Sequence, residues 1–244
     1  MVKIEMKRIK GIDFVKFICS LLVVMIHVSP FGEATSSTKF YLMNDFLQNY
    51  ICRLAVPFFF ICNGYFLEKK LSVSGNDCTI IKNIVFKTLK LYIKWSIIYL
   101  PINLVIILHD KSGLLHGIIG YVKNFVFIGS YTQLWYLNSL IIALLLIYVF
   151  TKMKVPSSII MKLSFVLYII GLFDDSYYGI LNFTPIIKTC VDKYNLLFGT
   201  TRNGLFFGLF FISLGMYLAK INLSIDYKKC VLLFTCSSMA LFVE

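Results

Sequence analysis

Long apolar stretches alternate with short segments rich in lysine or other polar residues along the whole chain. A transmembrane helix needs about 20 predominantly apolar residues, and these stretches lack the two-residue alternation of membrane β-strands. The pattern predicts an all-α fold, a polytopic integral membrane helical bundle. The predicted spans lie at about residues 12–28, 49–67, 92–108, 133–150, 158–173, 205–219 and 230–244. Because the seventh span is short, we expect residues 1–244 to form a single transmembrane domain that is incomplete at its C-terminus.

Basic residues cluster at alternate ends of these spans, as they do in the cytoplasmic loops of membrane proteins. We therefore predict that the N-terminus faces the cytoplasm. The predicted inward loops are residues 68–91, 151–157 and 220–229, and the predicted outward loops are residues 31–48, 109–133 and 174–203.

Residues 114–129 are moderately apolar but short. If they crossed the membrane, the lysine cluster of residues 152–162 would face outward, against the usual placement of positive charge. We predict a re-entrant or interfacial segment on the outer side. His109 and His116 are interpreted as residues of this boundary.

The composition supports a membrane protein, with 59% hydrophobic residues and a mean hydropathy of +0.81. The net charge of +12 comes from lysines at the ends of the spans, so the expected partner is the lipid bilayer and not a nucleic acid. The seven cysteines include no Cys-x-x-Cys pair, and we expect no metal or redox site.

Four polar residues interrupt the first apolar stretch: Asp13, Lys16, Ser20 and His27. At about 100° per residue they fall on one stripe of one helix, and such a stripe is expected to face protein or a water-filled cavity. Alternatively, Asp13 and Lys16 mark the headgroup boundary by snorkelling. That alternative does not cover His27, roughly 16 Å further along the helix axis than Lys16.

His27 is a candidate general base, because neutral imidazole can take a proton from a hydroxyl group at physiological pH. Arg53 lies within the second span, where a permanent charge needs an anionic or carbonyl partner. It could hold a phosphate or polarise a thioester carbonyl. The alternatives are a packed histidine and an interfacial arginine. Pro57 predicts a kink or local opening of the helix near Arg53.

Two further residues are candidates for binding. Arg202, in Thr-Thr-Arg-Asn-Gly, could bind an anionic group at the outer mouth, or it could be an ordinary loop cation. Trp135, at the start of the fourth span, suits an aromatic belt more than a ligand contact.

Several of these motifs resemble those of the membrane acyltransferase-3 family. The segment Ile12-Asp-Phe-Val-Lys16, followed after ten residues by His27, is similar to its opening motif. Arg53-x-x-x-Pro57-Phe-Phe and Asn63-Gly-Tyr65 resemble its second-helix motif, and Leu134-Trp-Tyr136 resembles a further signature. Lys16 stands where the family usually has Arg, and Asn63 where Ser is usual.

The resemblance implies transfer of an acyl group, commonly acetyl, from cytoplasmic acyl-CoA to a hydroxyl of a cell-envelope glycan or another acceptor. It implies a multi-pass protein of the plasma membrane with no bound cofactor, and acyl-CoA as the donor substrate. His27 would be the catalytic histidine and Arg53 the essential arginine. The residues expected to bind donor or acceptor are Asp13, Lys16, Asn63, Gly64, Trp135 and Arg202.

A closer resemblance competes with this one. The segments 53–60 and 198–207 are similar to the acyltransferase-like membrane half of the serine racemases of vancomycin-resistance clusters. Under that alternative, the domain would serve serine uptake or supply, which is transport and not acyl transfer.

The numbering makes one geometric prediction. The first two spans run antiparallel around a loop centred near residue 40, so residues whose numbers sum to about 80 lie at similar depth. His27 should therefore share one cavity with Arg53, and Lys16 should meet the turn at Asn63 and Gly64. Gly64, without a side chain, would let a ligand or Lys16 approach its backbone.

Overall fold

The computed structural model describes residues 9–28, 44–73, 77–110, 113–175 and 178–221, and all regular secondary structure in these ranges is helical. We label the helices in chain order. They are α1 (Lys10–Val28), α2 (Asn44–Leu71), α3 (Asp77–Leu108), α4 (Leu114–Phe127), α5 (Trp135–Lys152), α6 (Ser157–Asp175), α7 (Pro185–Phe198) and α8 (Gly204–Lys220). Two short 3₁₀ segments, Thr132–Leu134 and Tyr178–Phe183, precede α5 and α7.

Within the described residues, 5 helical stretches are long and apolar enough to cross a membrane. They correspond to α1, α2, α3, the run Leu114–Lys152 that contains α4 and α5, and Ser157–Asp174. A helix is thus present at each predicted span except residues 230–244, which lie outside the described residues. The number of crossings and the cytoplasmic N-terminus stay predictions.

The connections between the spans differ from the sequence interpretation in two places. The segment 68–91 is not a loop, because α2 continues to Leu71 and α3 already begins at Asp77. The segment 174–203 contains the helix α7, whose first residue, Pro185, has the fixed φ that suits a helix start. Most of the predicted outer loop 31–48 lies outside the described residues.

The α4 segment is a helix of 14 residues. At 1.5 Å per residue it is about 21 Å long, which is shorter than a hydrocarbon core of about 30 Å. Gly129, with φ of 142°, ends it in a sharp turn that leads into α5. This length fits the predicted re-entrant or interfacial segment, although its position in a membrane stays a prediction.

The central contact of the bundle joins α2 to α8 through two glycines. A Cβ added at Gly64 would overlap the backbone carbonyl of Ile212, and a Cβ added at Gly215 would overlap the backbone carbonyl of Ile61. Small residues allow this close approach of helix backbones in membranes. The apolar core around this contact includes Phe60, Leu67, Leu144, Ile147, Leu209 and Ile212.

The helix α2 is irregular next to Pro57, as the sequence predicted. A π-helical turn at Leu47–Ile51 and a 3₁₀ turn at Cys52–Leu54 precede the regular part of α2. Pro57 has no N–H to donate to the carbonyl of Arg53, and its ring clashes with that carbonyl, so the preceding turn cannot stay regular.

A buried polar network fixes the turn between α4 and α5. The Tyr92 hydroxyl donates to the Phe125 carbonyl (2.7 Å) and accepts from the Ser130 N–H (2.8 Å). Asn103 donates from Nδ2 to the Ser130 carbonyl (2.9 Å), and the hydroxyls of Ser96 and Ser130 are 2.6 Å apart. Buried polar groups that satisfy one another in this way hold a single arrangement. The network therefore holds the end of α4 against α3.

Candidate functional site

A cavity of about 1200 Å³ lies between α1, α2, α3, α4, α5, α6 and the start of α8. Its lining includes four of the eight residues predicted as a site: His27, Arg53, Trp135 and Arg202. The other four, Asp13, Lys16, Asn63 and Gly64, do not line it.

His27 and Arg53 lie in this one cavity, as the matching of depths along α1 and α2 predicted. His27 is in the last turn of α1, and Val23 and Ile26 of the same helix line the cavity beside it. Pro57 lines it on the side of α2. The functional roles of the two residues stay predictions.

The polar stripe of α1 follows the margin of its packed face. Asp13 and Lys16 are half-buried, and Cys19 is buried. Ser20 is exposed, and its hydroxyl donates to the Phe17 carbonyl of its own helix (2.7 Å). The expectation that the whole stripe faces protein or cavity therefore does not hold for Ser20. The reason is that the packed face is rotated slightly away from the polar stripe.

Arg53 is held by side chains of its own helix. Its guanidinium donates to Asn49 Oδ1 (3.0 Å), and Asn49 donates from Nδ2 to Asp45 Oδ1 (2.6 Å). The three residues are spaced four apart, and α2 keeps them in line through its irregular turns. Asn49 thereby connects the permanent positive charge of Arg53 to the carboxylate of Asp45. Asn49 also lines the cavity, and sequence reasoning missed it.

Lys16 lies near the predicted turn of α2 but contacts a different residue. Its Nζ is 4.4 Å from the centre of the Phe66 ring, a distance that favours a cation–π interaction. The backbone of Ile212 in α8 packs directly against Gly64. The need for close helix packing thus accounts for this glycine, which does not line the cavity.

Asn63 acts on the cavity through a neighbour. Its Nδ2 donates to the Tyr136 hydroxyl (2.9 Å) and to the Phe59 carbonyl (2.9 Å). Tyr136 lines the cavity, so Asn63, which is itself exposed and does not line the cavity, holds this phenol of the cavity wall in place.

Aromatic side chains form one wall of the cavity. Trp135 packs edge-on against Phe207 of α8, with ring centroids 6.2 Å apart, and the Phe207 and Phe211 rings are 4.8 Å apart. Tyr168 of α6 contacts the same group, 6.3 Å from Phe207. Trp135 was interpreted as an anchor in an aromatic belt, and the structure places it in the cavity wall.

Asp174, at the end of α6, organises the loop that carries Arg202. The backbone N–H of Thr201 donates to Asp174 Oδ2 (3.1 Å), and the Asn195 amide donates to Asp174 Oδ1. The Thr201 hydroxyl donates to the Gly171 carbonyl (2.8 Å). With Thr201 buried and fixed, its neighbour Arg202 lines the cavity.

Asn203, which follows Arg202 in this loop, is also held by hydrogen bonds. Asn203 Oδ1 accepts from the N–H groups of Leu205 (2.9 Å) and Phe206 (3.2 Å), which caps the first turn of α8. Asn203 Nδ2 donates to the Tyr194 hydroxyl of α7 (2.6 Å). Burial raises the pKa of Tyr194, so its hydroxyl stays protonated. The residues on both sides of Arg202 are therefore held by hydrogen bonds, and its role as a binding residue stays a prediction.

Comparison with known proteins decides the family. The family model described as Acyltransferase domain, acyltransferase-3, matches residues 9–243. The chain belongs to the acyltransferase-3 family. The family is membrane-integral, so this chain is a membrane domain of the acyltransferase-3 type. No solved structure matches it.

Three curated relatives of this acyltransferase-3 chain carry racemase names. An amino-acid racemase of Enterococcus faecalis is 36% identical over 212 residues, covering 86% of this chain and 28% of the relative. A second amino-acid racemase of the same organism is 30% identical over 227 residues, covering 91% and 31%. The serine/alanine racemase of Enterococcus gallinarum is 31% identical over 239 residues, covering 96% and 32%. The chain therefore spans about a third of the length of these relatives.

The acyltransferase-3 cavity also contains residues that the sequence interpretation placed elsewhere. His116 was interpreted as a boundary residue, but it lines the cavity together with Asp110. Tyr136 was noted only as part of a motif, and its hydroxyl is bound by Asn63. No spacing in the sequence signals the pairing of positions 110 and 116, because it depends on the turn between α3 and α4.

The described part of the chain contains no group of three His, Cys, Asp or Glu side chains that could hold a metal ion. The expectations of no metal and no bound cofactor stay expectations.

Proposed function

We propose that this acyltransferase-3 domain transfers an acyl group, most simply acetyl, from acyl-CoA to a hydroxyl of a cell-envelope glycan or another acceptor. The observation that carries the proposal is that His27 and Arg53, from two different motifs, line one cavity of about 1200 Å³. A cavity of this size has room for a thioester end and an acceptor hydroxyl together.

The reaction needs one nucleophile and one stabilised oxyanion. The acceptor oxygen attacks the thioester carbon while His27 takes the hydroxyl proton. Negative charge develops on the former carbonyl oxygen, and Arg53 stabilises it. The carbon–sulfur bond then breaks, the sulfur leaves as the thiol of CoA, and the acceptor carries a new ester.

Arg53 suits this role because its charge is permanent and its position is held. A guanidinium has five N–H donors, of which Asn49 accepts from one. A donor that is oriented before the reaction stabilises a developing charge without reorganising.

The proposed donor enters from the cytoplasmic side of the plasma membrane. In this arrangement Lys16 and Asp13, about three to four turns of α1 before His27, contact the donor headgroup on its way to the cavity. Asn63 and Gly64 maintain the adjoining wall of α2. Arg202 and Trp135 contact the part of the acceptor that lies nearest the outer mouth.

The test is acyl transfer from radiolabelled acetyl-CoA to envelope material by the full-length protein in proteoliposomes. We expect His27→Ala to reduce the rate by about 10²- to 10⁴-fold, which is the typical contribution of a general base, while the inserted amount stays unchanged. His109→Ala is the matched control, because His109 does not line the cavity. Wild-type transfer by the His27 variant would refute its role as base. If wild type transfers no acyl group but takes up labelled serine, the alternative of serine transport replaces this proposal.

A further inference from the structure

A second histidine lies in the same cavity as His27. His116, in the first turn of α4, lines the cavity together with Asp110, just after the end of α3. The His116 Nδ1 and Asp110 Oδ2 atoms are 3.1 Å apart. The cavity thus has a histidine–carboxylate pair at α3 and α4, in addition to His27 and Arg53 at α1 and α2.

The conformation of the backbone between α3 and α4 brings His116 and Asp110 together. Gly113 has a φ of 101°, and its N–H donates to the Asp110 carbonyl (3.1 Å). L side chains rarely adopt this conformation. A Cβ added at Gly117 would lie 3.1 Å from the Ile107 carbonyl oxygen and 3.3 Å from the Asp110 Cβ. The two glycines let the first turn of α4 pack onto the end of α3, which brings His116 to Asp110.

Asp110 determines which nitrogen of His116 faces the cavity. A carboxylate only accepts hydrogen bonds, so the Nδ1 proton of His116 points to Asp110. Nε2 then has a lone pair in neutral imidazole and a proton in imidazolium. The His116 side chain is 69% exposed and the Asp110 side chain 26% exposed, so His116 is open to a substrate while its carboxylate is shielded.

Within the described part of the chain, each of the other two histidines lacks either the place in the cavity or the orienting carboxylate. His109 does not line the cavity, and its Nδ1 lies 2.9 Å from the Val105 carbonyl of its own helix. His27 lines the cavity, but no hydrogen bond or ion pair to another described residue holds its side chain. Among the described residues, only His116 combines a place in the cavity with an orienting carboxylate.

We propose that His116 is a second catalytic histidine of the acyl transfer, with Asp110 as its positioning residue. The inference rests on the proposed function and assigns the second proton movement of that reaction. His27 takes the acceptor proton as the new carbon–oxygen bond forms. Protonated His116 gives a proton from Nε2 to the sulfur as the carbon–sulfur bond breaks. A proton then passes from His27 to His116 through cavity water, which restores both groups and leaves one ester and one thiol.

The first arm of the test compares His116→Ala with His109→Ala in the full-length protein in proteoliposomes. With acetyl-CoA we expect His116→Ala to lower kcat by about 10²-fold and His109→Ala to stay within about twofold of wild type. Added imidazole should restore much of the lost rate in His116→Ala, because the cavity has room for it. Asp110→Asn keeps a hydrogen-bond acceptor but loses the charge, so its loss should be smaller.

The second arm replaces the donor by an acetyl ester of an aryl thiol. An aryl thiolate is a better leaving group and needs no proton, so His116→Ala should approach the wild-type rate with this donor. His27→Ala should remain slow with both donors, because the acceptor proton must still be removed.

Three results would contradict the inference. If His116→Ala works at the wild-type rate with acetyl-CoA, His116 has no catalytic role, although acyl transfer itself stands. An equal loss with both donors and no rescue by imidazole would show that His116 is structural. Absence of acyl transfer in wild type with either donor would refute the proposed function, and this inference with it.

Discussion

At the scale of single residues, the orientation of Arg53 depends on Asn49. Arg53 cannot lose its charge, and an unpaired charge inside a membrane protein is costly. Asn49 accepts a hydrogen bond from Arg53 and donates one to Asp45. One amide thus positions the guanidinium and links it to a carboxylate through two hydrogen bonds. The same polar contacts that make Arg53 tolerable in α2 also orient it toward the cavity.

We predict that Asn49→Leu lowers the rate of acyl transfer by about 10- to 100-fold. A hydrogen bond to a charged group contributes about 1.5–3 kcal/mol, and without it the guanidinium is no longer oriented. Asn83→Leu is the matched control, because Asn83 is exposed on α3 and does not line the cavity. Rates are measured in proteoliposomes after matching the inserted amounts. Equal rates in the two variants would show that Asn49 does not position Arg53.

At the scale of helices, close backbone contact between α2 and α8 sets the relative position of two helices that line the cavity. Gly64 and Gly215 permit each backbone to touch the other. The same helix α8 supplies Phe207 and Phe211 to the cavity wall. The glycine in the Asn-Gly-Tyr motif is therefore explained by helix packing, and the asparagine before it by its hydrogen bond to Tyr136.

We predict that Gly64→Ala and Gly215→Ala each lower the thermal stability of the detergent-solubilised protein. An added methyl group at either position would overlap a backbone carbonyl, and overpacking costs about 1–3 kcal/mol. Gly11→Ala is the control, because a Cβ there would meet nothing within 4 Å. The midpoint of thermal unfolding is measured for all three variants. A midpoint for Gly64→Ala that equals the one for Gly11→Ala would argue against the close helix contact.

At the scale of the whole molecule, the cavity and the lysines together define two ends of the bundle. His27, Asp110 and Arg202 all lie near ends of helices that are predicted, from the positions of the lysines, to face outside. Lys152 and Lys220 lie at the opposite ends of α5 and α8. Such an arrangement would open the acceptor side of the site outward and leave the donor to approach from the cytoplasm.

We predict that a single cysteine at position 109 reacts with a membrane-impermeant thiol reagent in intact cells, and that one at position 152 does not. The residues there are His109 and Lys152, both exposed, and the seven native cysteines are replaced first. Permeabilised cells should label both positions, which controls for reactivity. The opposite labelling pattern in intact cells would invert the topology and place the cavity mouth inside.

The sequence by itself predicted the membrane class, a helix at each described span, and a cavity lined by both His27 and Arg53. Apolar length predicts a spanning helix because no water satisfies the backbone within lipid. The axial rise of a helix is constant, so antiparallel neighbours match in depth by simple counting. Pro57 likewise predicted an irregular turn at Arg53, because the missing N–H acts on the turn immediately before it.

Only the tertiary structure decided which of these residues meet. The contact of Gly64 with Ile212 depends on which face of α2 turns toward α8. The pair of His116 and Asp110 depends on the turn at Gly113, and the place of Arg202 depends on how Asp174 holds its loop. Rotation of a helix about its axis and the path of a loop follow from packing against distant parts of the chain. Counting along one helix contains no information about that packing.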